Sequence, residues 1–187
     1  RDEFKVEVLT ASENVDLLSR QSRQFLPDSV VIGNDKHYRK LKESLRNTGV
    51  KVFAGYEAIE QVTAASDADI VLTAIVGYSG LRSTIAAIKA GKRIALANKE
   101  TLVVAGMVIN DLIRESGSSI IPVDSEHSAI CQCLAGEESN SVERITLTAS
   151  GGPFLNASPE MIRKVKPADA LKHPNWNMGD KVTVDSA

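Results

Sequence analysis

Residues 70–96 read IVLTAIVGYSGLRSTIAAIKAGKRIAL, and this stretch decides the fold. Ile70 to Ala74 is a short β-branched and aliphatic run of strand length. Gly77-Tyr78-Ser79-Gly80 then turns the chain into a helical period, Leu81 to Ala90, with Ile85 and Ile88 facing inward and Gly91 as terminator. Arg93 to Leu96 is strand again. Strand, crossover helix and strand in this order make a parallel pair.

The same rhythm extends in both directions. Further strands are expected at Lys5 to Thr10, Ser29 to Ile32, Lys51 to Phe53 and Ser119 to Val123. The helix Asn34 to Arg46 carries Tyr38, Leu41 and Leu45 on one face, Asn34 as its cap and Gly49 beyond its end. A second, Thr101 to Arg114, is apolar at Leu102, Ala105, Ile109 and Leu112. The expected class is α/β, a doubly wound, Rossmann-like, mostly parallel sheet, whose ligands bind beyond the carboxyl ends of the strands. From about Pro122 the rhythm stops, so we expect a domain boundary there, with the parallel α/β domain over 1–122 and the start of an α+β domain over 123–187. In that second part Arg144 to Thr148 and Lys181 to Val184 read as strands. The first residue is Arg1 and the last three follow a strand-like run, so both ends are expected to be cut.

The 187 residues suffice for one substantial core or for one domain and part of another. Aromatic residues are only 4%, so the core is expected to be built from Ala, Val, Ile and Leu. A formal charge of −2 and the lack of a Lys/Arg run or base-stacking cluster argue against nucleic acid as a partner. No apolar run nears the roughly 20 residues that span a bilayer, and no targeting segment opens the chain, so no membrane association is expected. Cys131 and Cys133, two apart on a helical pattern, suit neither a local disulfide nor a metal pair.

Chemistry concentrates in the loops after strands. Asp124-Ser125-Glu126-His127 follows Ser119 to Val123 and sets two hard oxygen ligands at a strand end, suited to Mg²⁺ or Mn²⁺. On an extended segment Asp124 and Glu126 point to one side and converge; if a helix begins at Ser125, Asp124 or Ser125 is a helix cap instead. Asn98-Lys99-Glu100 offers an amide, a cation and a carboxylate, or a charged helix start. Ser150-Gly151-Gly152-Pro153 suits the close approach of a small anion, or a plain turn. His173 to Gly179, with a rigid Pro and the only Trp, reads as a lid over a ligand or as a loop anchored by Trp176. No G-x-G-x-x-G phosphate loop occurs.

In order, Ala74-Ile75-Val76-Gly77, Ala97-Asn98-Lys99-Glu100, Val123-Asp124-Ser125-Glu126-His127, Ala149-Ser150-Gly151-Gly152-Pro153-Phe154, His173 to Gly179 and Val184-Asp185-Ser186-Ala187 resemble 1-deoxy-D-xylulose 5-phosphate reductoisomerases. The resemblance implies an NADPH-dependent enzyme of non-mevalonate isoprenoid synthesis. Such enzymes rearrange the carbon skeleton of a small phosphorylated sugar and reduce it to 2-C-methyl-D-erythritol 4-phosphate. It implies Asp124 and Glu126 as ligands of Mg²⁺ or Mn²⁺, with Co²⁺ as a substitute, and Lys99 as a catalytic group between cofactor and substrate. Ser125, Ser150, His173, Trp176 and Ser186 would hold the substrate. Ala11, Ser12, Asn14, Ala74, Ile75, Val76, Asn98, Lys99, Glu100, Met178 and Gly179 would line the cofactor cleft.

It further implies a homodimer, located in the bacterial cytoplasm or the plastid stroma. The family's phosphate loop would precede Arg1 and its third carboxylate ligand would follow Ala187, so the isolated chain is expected to turn over poorly. Glu13 stands where a cation near the cofactor's ribose phosphate is expected, and a carboxylate there repels that phosphate. A non-catalytic α/β module binding a phosphate ligand or a protein is the alternative, although a bare scaffold has no need to combine Asp124, Glu126, Ser150 and His173. A semialdehyde dehydrogenase would need a nucleophilic Cys in a ligand loop, where Cys131 and Cys133 do not lie.

Overall fold

The computed structural model describes residues 3–138, 141–148 and 151–186. The chain forms two compact units, Arg1–Ala135 and Gly136–Ala187.

The first unit alternates strands and helices throughout: β1 (Val8–Ala11), α1 (Val15–Phe25), β2 (Ser29–Ile32), α2 (Tyr38–Ser44), β3 (Lys51–Ala54), α3 (Tyr56–Ala65), β4 (Ile70–Thr73), α4 (Leu81–Lys89), β5 (Arg93–Leu96), α5 (Glu100–Ser116), β6 (Ser119–Pro122) and α6 (Ser125–Leu134). All strand pairs among the described residues are parallel. They lie in two three-stranded sheets, ordered β1-β2-β3 and β4-β5-β6. The middle strand of the first sheet, Ser-Val-Val-Ile, is buried along its whole length, which is why it reads as an unbroken apolar run. Val15 and Leu18 of α1 and Leu41 of α2 pack on Val30 and Ile32. In the second sheet Leu81, Ala87 and Ile88 of α4 and Ile109 of α5 close on Ile94 and Leu96. Leu102, Ala105 and Leu112 join this core from the predicted face of α5.

The helix expected over 34–46 is divided. Asn34 caps a short 3-10 turn, Asp35–His37, by accepting from Lys36 N, and α2 proper begins at Tyr38. Helix α5 is kinked at Ala105, whose φ of −136° and ψ of 24° leave the helical region.

Among its described residues the second unit holds three short helices, α7 (Pro159–Ile162), α8 (Pro167–Ala170) and α9 (Asp180–Asp185). It corrects two expectations. Arg144 to Thr148 is irregular and leaves Ile145 and Leu147 exposed, and Lys181 to Val184 lies inside α9. A period-2 pattern marks a two-faced segment, but a strand also needs a neighbour for its ladder, and none pairs with either segment among the described residues. In α9 the backbone satisfies itself locally, Lys181 Nζ bridges to Asp185 Oδ2 at 2.8 Å, and Thr183 is the buried residue.

Candidate functional site

Asp124 has extended backbone, φ −62° and ψ 149°, and Ser125 opens α6 directly after it. The carboxylate caps that helix: Oδ2 accepts from His127 N at 3.3 Å and lies 2.6 Å from His127 Nδ1. The alternation that would send Asp124 and Glu126 to one side therefore ends at Asp124, and Glu126 occupies the first helical turn. Ser125 Oγ donates to Glu126 Oε2 at 3.2 Å, and Lys99 Nζ reaches the same oxygen at 3.5 Å. Lys99 comes from the junction of β5 and α5, so the ends of two adjacent parallel strands supply one cation and two carboxylates. His127 is the functional residue that the sequence reading passed over; its spacing of three from a capping Asp was the available signal.

Burial is the largest single influence on Asp124 and pushes its pKa up. The His127 side-chain and backbone hydrogen bonds, with the charges of His127 and Lys99, outweigh it and hold the carboxyl below its ordinary range. Glu126 is held down first by its own backbone N–H, against burial, and then by the Lys99 charge and by hydrogen bonds from Ser125 and Lys99. With folded pKa values below the unfolded ones, each group adds stability above the ordinary carboxylate range, and this is lost as pH falls through the folded value. Carboxyl-carbon NMR titration is expected to find both groups titrating below the ordinary carboxylate range. His127→Gln is expected to move Asp124 upward and Glu126 little; equal shifts in both would contradict the assigned contacts.

Hydrogen bonds to the two carboxylates fall on Asp124 Oδ2 and Glu126 Oε2 among the described residues. Hard oxygen donors of this kind fit Mg²⁺ or Mn²⁺. Among the described residues no three His, Cys, Asp or Glu side chains converge on one point.

Of the residues expected to line a cofactor cleft, those of the first unit sit at or just after the carboxyl ends of strands. Ala11 ends β1, and Ser12 Oγ lies 2.7 Å from Tyr56 Oη. Asn14 caps α1 by accepting from Leu17 N, and Glu13 Oε1 accepts from Asn34 Nδ2 at 3.1 Å. Ala74 and Val76 are exposed after β4, whereas Ile75 is half-buried. Asn98 is buried, and half-buried Lys99 and Glu100 follow it. In the second unit His173 Nδ1 accepts from Asn175 N and Trp176 N at 3.1 and 3.0 Å. His173, Trp176 and Met178 line one cleft of about 480 Å³, with Trp176 63% exposed over it. Gly179 is exposed before α9. Ser186 is not in the cleft; its Oγ donates to Thr183 O at 2.8 Å. Ser150 lies outside the described residues.

No helix among the described residues is long and apolar enough to cross a membrane. The model of the 1-deoxy-D-xylulose 5-phosphate reductoisomerase family matches residues 1–106, and that of the family's C-terminal domain matches residues 120–187. A relative of that name from Bacteroides fragilis is 55% identical over 184 residues, 98% of this chain and 47% of the relative. One from Bacteroides thetaiotaomicron is 54% identical over 186 residues, covering 100% of this chain and 48% of its own length. The chain thus spans about half the length of these curated relatives. Among solved structures, the Zymomonas mobilis reductoisomerase in complex with NADPH superposes with a TM-score of 0.90 at 41% identity, covering 100% of this chain and 48% of that one. A DOX-P reductoisomerase in complex with NADPH, fosmidomycin and magnesium gives 0.87 at 34% identity, over 99% of this chain and 48% of that one. A parallel α/β unit whose β5 and β6 ends join Lys99 to the Asp124-Ser125-Glu126 turn is what these matches lead one to find, and the chain belongs to the 1-deoxy-D-xylulose 5-phosphate reductoisomerase family.

Proposed function

We propose that these residues are the cofactor half and the beginning of the catalytic half of an NADPH- and divalent-metal-dependent reductoisomerase acting on 1-deoxy-D-xylulose 5-phosphate. The boundary falls at 122/123, and the enzyme works as a cytoplasmic homodimer. The observation that carries this reading is the 3.5 Å pairing of Lys99 Nζ with Glu126 Oε2 beside Asp124, at the ends of strands whose neighbouring loop presents Ala74, Ile75 and Val76. Solved relatives that hold NADPH and magnesium support it.

Asp124 and Glu126 would hold Mg²⁺ or Mn²⁺, which when bound polarises adjacent substrate oxygens as a Lewis acid. Ala11, Ser12, Asn14, Ala74 to Val76 and Asn98 to Glu100 would hold NADPH, which when bound would supply a hydride. The residues of the chain do the rest. His127 fixes the Asp124 carboxylate in one orientation through two hydrogen bonds to Oδ2. The Lys99 charge adds to the hydrogen bonds that hold both carboxyls below their ordinary range, and it would set a positive charge where the substrate's oxygens gather charge. Ser125 in the first unit, and Ser150, His173 and Trp176 in the second, would contact the phosphorylated sugar, and Ser186 would do so on giving up its hydrogen bond to Thr183 O.

The test replaces the matching stretch of a full-length Bacteroides relative by these 187 residues and follows NADPH oxidation with 1-deoxy-D-xylulose 5-phosphate and Mg²⁺ or Mn²⁺. A kcat within about tenfold of the parent is expected, a barrier difference of no more than about 1.4 kcal/mol. A folded chimera that binds neither NADPH nor metal would sink the reading. The 187 residues by themselves are expected to oxidise NADPH far more slowly than the chimera.

A further inference from the structure

We propose that Asn98 is a positioning residue: it shapes the cofactor cleft through the loop after β4, and its side chain does not touch the cofactor. This rests on the reading above, in which Ala74, Ile75 and Val76 line that cleft.

Asn98 is 3% exposed, and its carboxamide is fully committed inside the protein. Nδ2 has two protons to give and donates to two carbonyls of one loop, Ile75 O and, at 2.8 Å, Gly77 O. Oδ1 accepts from Thr101 N at 3.3 Å, in the first turn of α5. The backbone N of Asn98 donates to Thr73 O at 3.0 Å, alongside Ala97 N at 3.1 Å. The side chain thus ties the loop after β4 to the start of α5, with no amide donor left for a ligand, and the backbone N–H of the same residue holds the end of β4.

The surroundings are built to fit it. Gly77 holds a φ of +73°, a conformation that L side chains rarely adopt, and this places its carbonyl at Asn98. Gly80 is buried, and a Cβ there would stand 3.1 Å from Asn98 Nδ2 and 3.4 Å from Ile75 O. Thr73 Oγ1 and Thr101 Oγ1 are buried without a hydrogen-bond partner among the described residues, so neither hydroxyl shares the task. With the Ile75 and Gly77 carbonyls drawn inward, Ala74 and Val76 remain exposed, Val76 at 67%. The Asn-Lys-Glu triplet therefore divides its work: Asn98 faces the fold, and Lys99 faces Glu126.

The test uses a full-length reductoisomerase carrying these 187 residues and two variants. Asn98→Asp keeps the shape but sets a carboxylate against two carbonyl oxygens; Gly80→Ala leaves Asn98 chemically intact and displaces its amide. Two measurements are made on each: amide hydrogen exchange over residues 76–80 without cofactor, and NADPH affinity by fluorescence. Both variants are expected to speed exchange in that loop and to raise the NADPH Kd about tenfold, the scale of one lost buried hydrogen bond, with kcat at saturating NADPH in Gly80→Ala changed by less than about threefold. Exchange unchanged by Asn98→Asp overturns the proposal. So does a Kd that rises in Asn98→Asp but not in Gly80→Ala, because that pattern marks a direct contact. A wild-type protein with no affinity for NADPH overturns the cofactor reading itself, a result separate from either exchange outcome.

Discussion

Asp124→Asn in a full-length reductoisomerase carrying these residues is expected to lower kcat/KM by about 10³-fold while leaving the fold intact, with the residual rate requiring far more Mg²⁺ than the parent. The two effects separate because Asp124 has two tasks. As a helix cap its oxygen accepts from His127 N, and Asn caps as well as Asp does. As a metal ligand its charge is needed, and an amide oxygen is a poor replacement. Asp124→Ala removes both tasks and should cost about a further 1 kcal/mol of stability. Steady-state kinetics across a Mg²⁺ series and thermal unfolding of both variants check this. If Asp124→Asn retains wild-type kcat/KM at low Mg²⁺, the carboxylate is only a cap.

Ile94→Ala is expected to have the largest effect on stability, about 3 kcal/mol within a range of 2–5. Ile94 is 0% exposed in the central strand of the second sheet, in register with Val71 on one side and Ile120 on the other. A typical domain has about 5–15 kcal/mol to lose, so the variant should melt well below the parent. The damage should also reach the site, because β5 leads directly into Asn98 and Lys99. Met107→Ala on α5 is the contrast: at 85% exposure it should change stability by no more than about 0.5 kcal/mol. Urea unfolding of both variants decides between this ordering and one set by residue type alone.

The strands of the first unit were legible because each is a short β-branched run stopped by a turn, and Gly91 and Gly117 close α4 and α5 with left-handed backbone. The core faces of α2, α4 and α5 followed from helical period alone. Alternation in Arg144 to Thr148 and Lys181 to Val184 could not report whether a partner strand lies beside them. The kink at Ala105 left no mark, since Ala is the best of helix formers. In the site, the metal-ligand residue types were visible at Asp124 and Glu126, and so was the cap. The direction of Asn98 was not, because its partners lie more than 20 residues earlier and are backbone carbonyls, which any residue provides.

The two-sheet arrangement of the first unit also bears on how the chain acquires its shape. Each sheet is assembled from consecutive strand–helix–strand steps, residues 8–54 for one and 70–122 for the other, so the loops that must close are short in both. No ladder hydrogen bond among the described residues joins one sheet to the other. Neither sheet's ladder therefore depends on the other's, and the two halves of this unit meet through helices instead: α3 packs on α4, with Arg82 Nε 2.9 Å from Glu60 Oε1. Lys99 and the Asp124-Ser125-Glu126 turn belong to the same half, so the candidate site is positioned by the sheet built around β5.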